Sequence, residues 1–256
     1  MWMRNEKMRR FIGANRFARA MTFGIQNKIQ MRLLAGHKNP LTLFRLRAAA
    51  RDSHSLLSAD EAFLLHELAN AQAVLPGVMA EFGVYRGASA ALICQVKGET
   101  PLHLFDTFEG LPAPADHEEQ VFSKGQFPGT LASVKQALAE FPEVHYHPGI
   151  FPASTEGLDS LRFSFVHLDV DLHDATLAGL AFFYPRMVPG GIILTHDYSI
   201  IEGVSRAFTR FMADKPERVI ELSTTQAMVV CQPGAHAAEQ RNDRAILHAA
   251  PDSAAA

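Results

Sequence analysis

The sequence predicts an α/β fold: a doubly wound, mostly parallel seven-stranded sheet with helices on both faces and an N-terminal helical extension. Three observations carry that reading. Short apolar runs alternate with helical stretches from about residue 70 to 233. The last two runs are separated by a tight connection, as in an antiparallel pair. The first 51 residues differ from everything after them in charge and periodicity.

The chain has 256 residues, 48% of them hydrophobic, enough for one large domain with an appendage. Its net charge of −3 hides an asymmetry. Residues 1–51 hold 12 Lys and Arg against one acid, a charge of +11; the other 205 hold 12 against 26, a charge of −14. Two cysteines, Cys94 and Cys231, exclude a disulfide scaffold and a Cys-based zinc site. No apolar run approaches the ~18–20 residues of a membrane span. Arg16 and Arg19 interrupt any secretory signal. The expectation is a soluble cytoplasmic protein in three parts: a basic helical arm over 1–57, a catalytic domain over 58–233, and a disordered Ala-rich tail over 234–256.

In the arm, Phe17, Met21, Ile25, Ile29 and Leu33 recur every four residues between Arg16, Arg19, Lys28 and Arg32. Gly36 and Pro40 end this helix, and a second short one is expected over 41–50. A basic amphipathic helix has three readings: packing on its own body or on a partner subunit, peripheral contact with a membrane surface, or an organellar presequence. Packing, with a homo-oligomer formed through the arm, is preferred. Nucleic acid is not expected beside an acidic body without an aromatic-basic recognition motif.

Ser58-Ala-Asp-Glu61 is a capping box opening a helix over 59–74, stopped by Pro76-Gly77. Strands are expected at 78–82, 102–106, 144–147, 163–169 and 191–197, with a closing pair at 218–222 and 227–231. Helices are expected over 88–96, 175–183 and 204–213. Another carries Leu131, Val134, Leu138 and Phe141 on one face. Residues 112–129 form a loop rich in Pro, Gly and charge.

Ligands of such sheets sit beyond the carboxyl ends of the strands, so those ends hold the candidate chemistry. The first strand runs into Glu81-Phe-Gly83-Val-Tyr85-Arg-Gly87-Ala-Ser89, whose small residues let backbone approach a ligand. Asp106, in Asp106-Thr107-Phe108, ends the second strand 19 residues after Gly87. There a carboxylate holds a ribose diol in nucleoside-binding sheets. The spacing ExGxxxG lacks the denser glycine pattern of a pyrophosphate site, which favours S-adenosylmethionine over NAD or FAD. The fourth strand ends in His167-Leu-Asp169-Val-Asp171-Leu-His173 and the fifth in His196-Asp197. If the two strands are neighbours, Asp169, His196 and Asp197 converge. Clustered carboxylates with one imidazole suit a divalent cation such as Mg²⁺ or Mn²⁺. Asp174 is expected only to cap the following helix, and His103, His145 and His147 to occupy solvated or satisfied positions.

In AEFGVYRGASA (80–90), FDTFEGLP (105–112), FSKGQF (122–127), LDVDLHDAT (168–176), YPRMVPGGIILTHDY (184–198) and GVSRAF (203–208), the sequence resembles the metal- and S-adenosylmethionine-dependent O-methyltransferases typified by macrocin O-methyltransferase. The resemblance implies a class I methyltransferase (Rossmann-like) fold. It places S-adenosylmethionine near Glu81, Gly83, Tyr85, Gly87, Ser89, Asp106, Thr107 and Phe108, and a divalent cation on Asp169, His196 and Asp197. It makes Asp171 the base, the 112–129 loop a lid, and a hydroxyl of a sugar or other small natural product the acceptor. His196 stands where that family often has an acid, and His173 where a Tyr is common. Two rivals are carried beside it. A metal-dependent hydrolase would use the Asp/His cluster alone, and a non-catalytic adenosyl-ligand-binding scaffold would bind cofactor without turnover.

Overall fold

The structure is a computed structural model describing residues 16–52, 55–115, 118 and 122–232. The tail expected from residue 234, and the first 15 residues of the arm, lie outside the described residues. Two arm helices, α1 (Arg16–Ala35) and α2 (Pro40–Asp52), lead to α3 (Ala59–Gln72). The alternating body follows: β1 (Val78–Phe82), α4 (Ala88–Cys94), β2 (Leu102–Asp106), α5 (Leu131–Ala137), β3 (Val144–Pro148), β4 (Phe163–Leu168), α6 (His173–Phe183), β5 (Met187–Thr195), α7 (Glu202–Phe211), β6 (Ile220–Glu221) and β7 (Ala227–Val230).

The seven strands form one sheet in the order β3-β2-β1-β4-β5-β7-β6. The strands from β3 through β5 in that order are mutually parallel. β7 runs antiparallel to β5 and β6 antiparallel to β7. The chain leaves β1 toward β2 and β3 on one side and returns to β4 and β5 on the other. The crevice between the carboxyl ends of β1 and β4 is therefore the switch point where such sheets take ligands.

Alternation divides the core in two. Met79, Leu104, Phe165 and Leu194 face helices α2, α3 and α4, with Leu46, Leu65 and Ile93 against them. Ala80, Phe105, Val166 and Ile193 face α6 and α7, with Phe183, Val204 and Phe208 against them. At the opposite end of the sheet from the crevice, the buried Lys97 donates to the carbonyls of Gly98, Thr100 and Pro142 at 3.2, 3.0 and 2.6 Å. It thus joins the turns that start β2 and β3.

β6 spans only Ile220–Glu221 where 218–222 is expected, and two larger departures concern β5 and the arm. β5 begins at Met187, not Gly191. Its register against β4 shifts between Phe163 and Phe165, and this irregularity absorbs the segment holding Pro189, which has no N–H for the ladder. The arm turns its apolar row outward. Ile25, Ile29 and Leu33 are 52%, 52% and 65% exposed, while Asn27 and Gln30 accept from the Ala59 N–H at the start of α3, at 2.9 and 3.2 Å. Buried Leu34 and half-buried Met31 supply the apolar part of the docking face. Among the described residues no helix is long and apolar enough to cross a membrane.

Candidate functional site

The β1–α4 turn is built by glycine and by a carboxylate. Gly83 has φ +91, and a Cβ there would lie 1.9 Å from the Asp169 carbonyl oxygen, so the ends of β1 and β4 touch through backbone. Gly87 (φ +82) starts α4 in the left-handed conformation, and Tyr85 adopts φ +50 between the two. Asp106 holds this turn: Oδ2 accepts from the Val84 and Tyr85 N–H groups at 2.7 and 3.0 Å, and Oδ1 from the Phe108 N–H at 2.7 Å. The carboxylate expected to meet a ribose thus first shapes the cradle. Thr107 donates to the Gly110 carbonyl at 2.7 Å, Phe108 is buried with φ +55, and Ser89 is buried in the first turn of α4.

Glu81 does not face the open crevice. It is fully buried on the α3/α4 side of the sheet, with Oε1 2.8 Å from His167 Nδ1. Among the described residues His167 Nε2 has no hydrogen-bond partner, and burial pushes the Glu81 carboxyl up. The register pairing Glu81 with His167 explains the contact, since partners in a parallel ladder project to the same face.

The second group forms because β4 and β5 are neighbours, as expected. His196 Nδ1 lies 3.2 Å from Asp169 Oδ1 and 3.4 Å from Asp197 Oδ1. On its other side His196 Nε2 lies 3.5 Å from Glu61 Oε2. Burial opposes charge on His196, but Asp197, Asp169 and Glu61 together raise its pKa well above the usual imidazole value. The same imidazole, against the effect of burial, holds the Asp169 carboxyl low, and with Thr225 and the Ser58 N–H it holds Glu61 low. Thr225 Oγ1 donates to Glu61 Oε1 at 2.6 Å and lies 3.3 Å from Asp197 Oδ1.

The donor spacings suit an ion. Around a cation bound at ~2.1 Å, adjacent octahedral ligands lie ~3 Å apart, close to the separations at His196. Two carboxylates and an imidazole form a set that Mn²⁺ takes more readily than Mg²⁺. Asp171 is not in this group: β4 gives way to loop after Leu168, and Asp171 takes φ +60 instead of continuing the alternation with Asp169.

A second cluster, Glu118, His173 and Asp174, has another explanation. Glu118 accepts from the His173 and Asp174 N–H groups, each at 2.9 Å, and so caps α6 from the 112–129 loop. The expected Asp174 cap is thus replaced by a carboxylate 56 positions earlier. Asp174 instead contacts His173 Nδ1 at 2.8 Å. His103, expected in a satisfied position, pairs with His147 at 2.9 Å and stacks on His145 with ring centroids 4.8 Å apart.

The residues that sequence reasoning missed at the site are Glu61 and Thr225. Glu61 was visible only as the glutamate that closes a capping box, the third residue of α3. Nothing local ties it to a histidine far along the chain.

Comparison with known proteins assigns the family. Residues 63–225 match the macrocin-O-methyltransferase (TylF) family. The 8-demethyl-8-(2,3-dimethoxy-alpha-L-rhamnosyl)-tetracenomycin-C 4'-O-methyltransferase of Streptomyces olivaceus is 30% identical over 49% of this chain and 54% of its own. Mycinamicin III 3''-O-methyltransferase of Micromonospora griseorubida is 27% identical over 49% and 57%. The chain thus spans about half the length of the curated relatives it matches. Among solved structures, the O-methyltransferase NovP matches with a TM-score of 0.62 and 15% identity, over 83% of this chain and 99% of that one, a likeness of fold. By the match over residues 63–225, the chain belongs to the macrocin O-methyltransferase family.

Proposed function

We propose that the chain transfers a methyl group from S-adenosylmethionine to a hydroxyl of a sugar or other small natural-product acceptor, assisted by a divalent cation. The observation that carries this reading is the contact between the Gly83 turn and Asp169, which sets a nucleoside-type cradle directly beside a two-carboxylate, one-imidazole cluster. A hydrolase needs the cluster and not the cradle. Family membership, and two relatives named as O-methyltransferases of natural products, support the same reaction.

Gly83, Tyr85, Gly87, Ser89, Asp106, Thr107 and Phe108 form the cradle for the cofactor, with Glu81 supporting it from behind through His167. S-adenosylmethionine supplies a methyl carbon on a sulfonium: the acceptor oxygen bonds to that carbon as the carbon–sulfur bond breaks and its electron pair returns to sulfur. Asp169, His196 and Asp197 would hold the cation, which would supply Lewis acidity for activating the acceptor hydroxyl. Asp171, on the same loop as Asp169, takes the hydroxyl proton. The 112–129 loop, fastened to α6 through Glu118, excludes water during transfer. Holding oxygen, carbon and sulfur in line is a large part of the acceleration.

Incubation with methyl-labelled S-adenosylmethionine and a panel of glycosylated natural products, with and without chelator, tests the proposal. Label in a product, lost with chelator, is expected. Cofactor binding without any transfer across the panel and a host metabolite extract would favour the scaffold reading. The arm's outward apolar row and basic charge fit the acidic body of a second copy, so the arm is read as an oligomerisation element. Ultracentrifugation of the Ile29→Asp variant should show loss of the oligomer; binding of wild-type monomer to anionic vesicles would favour the membrane instead.

A further inference from the structure

We propose that Glu61 is a positioning residue of the divalent-cation site: its carboxylate stands behind His196 and fixes the imidazole with Nδ1 toward the ion. The proposal rests on reading Asp169, His196 and Asp197 as the ion's ligands.

A capping-box glutamate has one local task, to accept from the N-cap N–H. Glu61 performs it, accepting from the Ser58 N–H at 2.8 Å while its own N–H donates to Ser58 Oγ at 3.4 Å. Such a residue is ordinarily solvated, yet Glu61 is only 6% exposed. Its other contacts come from distant parts of the chain. Thr225 approaches Oε1 with its hydroxyl at 2.6 Å and its N–H at 3.4 Å. Oε2 faces His196 Nε2 at 3.5 Å. Burying a carboxylate is costly unless it is paired and hydrogen-bonded, and the cap alone supplies a single hydrogen bond to it.

His196 supplies the complementary observation. Its Nε2 is enclosed and lies 3.5 Å from Glu61 Oε2, while its Nδ1 faces the two aspartates. A metal-binding imidazole ordinarily directs its second nitrogen at a carboxylate or carbonyl, which fixes the tautomer and the ring plane. Glu61 occupies that position. A proton on Nε2 is held toward Glu61, and the Nδ1 lone pair is left for the cation. The ring cannot turn without bringing a carbon against one carboxylate or the other. Thr225 and Ser58 hold Glu61, and Asn27 and Gln30 of the arm hold the Ala59 N–H of the same helix turn. Helix α3 thereby becomes part of the ion site although none of its residues is a ligand.

Mn²⁺ binding, followed by the electron paramagnetic resonance of the free ion, tests this on the full chain without reference to turnover. In Glu61→Gln the side chain keeps its size but loses the negative charge that faces His196 Nε2, and Mn²⁺ affinity should fall 10- to 100-fold. Ser58→Ala removes the cap and leaves the His196 contact, so it should lower the unfolding temperature while keeping Mn²⁺ affinity within twofold. Wild-type affinity in Glu61→Gln, or an equal loss in Ser58→Ala, overturns the proposal. Failure of the wild-type chain to bind Mn²⁺, or unchanged affinity in Asp169→Asn, overturns the ion-site reading and the Glu61 proposal with it.

Discussion

Replacing Gly83 by alanine should damage the cofactor cradle and the cation cluster together, because the two meet at this residue. An alanine Cβ would sit 1.9 Å from the Asp169 carbonyl oxygen and 2.7 Å from its carbon, both backbone atoms. Real Cβ contacts stay beyond 3.0 Å, so the ends of β1 and β4 must separate by at least 1.1 Å. The conformation adds its own cost, since φ +91 lies where an L side chain is disfavoured by about 1–2 kcal/mol. Gly98→Ala separates the two effects: Gly98 has φ +59, but a Cβ there meets nothing within 4 Å. The Gly98 variant should lose about 2–8 °C in unfolding temperature, at roughly 2–4 °C per kcal/mol for a chain of this size, and keep its activity. Gly83→Ala should lose more stability, and a displacement of about 1 Å at reacting groups can cost on the order of 100-fold in kcat/KM. Thermal unfolding, calorimetry with S-adenosylmethionine and turnover decide the matter. If Gly83→Ala matches Gly98→Ala in all three, the contact between cradle and cluster has no functional weight.

Asp171→Asn should retain S-adenosylmethionine affinity and lose transfer; full activity would remove Asp171 from the mechanism. In Asp106→Asn the oxygen that accepts from Val84 and Tyr85, or the one that accepts from Phe108, becomes a donor. A loss of about 1–3 kcal/mol in cofactor affinity should follow by calorimetry. The raised pKa of His196 means a proton competes with the cation at Nδ1. Cation affinity should therefore rise with pH, and calorimetry in two buffers of different ionisation enthalpy should show proton release; identical enthalpies would contradict it. Burial, His145 and His147 push His103 down to about 4, so the fold favours its neutral form. That stabilisation is complete above the ordinary value of 6.5 and is lost as pH falls toward 4. Its ceiling is about 3 kcal/mol before solvent screening, and about half that is expected. Urea unfolding between pH 7 and 4 should show this slope, and His103→Leu should flatten it.

The strands were legible because each buried run is short, apolar and bounded by turn residues. Val78–Phe82 and Leu102–Asp106 have the limits the sequence predicts. Convergence of Asp169 with His196 and Asp197 was legible too, because consecutive parallel strands tend to be neighbours. Facing was less so. Periodicity groups Ile25, Ile29 and Leu33 on one side of α1 but cannot say whether that side meets the body, and here two amides facing an orphan N–H take the inner position. Spacing makes Asp106 a candidate ligand group, yet its backbone partners depend on a turn no spacing rule describes. Glu61 was out of reach: its importance lies in a contact between α3 and the end of β5, which depends on how the helix seats on the sheet.

The Lys97 staple has a consequence for how substitutions are distributed over this chain. It fastens the β2 and β3 turns at the rim of the sheet away from the crevice, and five-residue strands put that rim about 16 Å from the carboxylates. One rim therefore carries anchorage and the other the proposed site. Substitutions around the crevice leave the three Lys97 contacts in place. An acceptor pocket remodelled in the laboratory can draw on the same separation, with repairs to stability made around Lys97, out of reach of the reacting atoms.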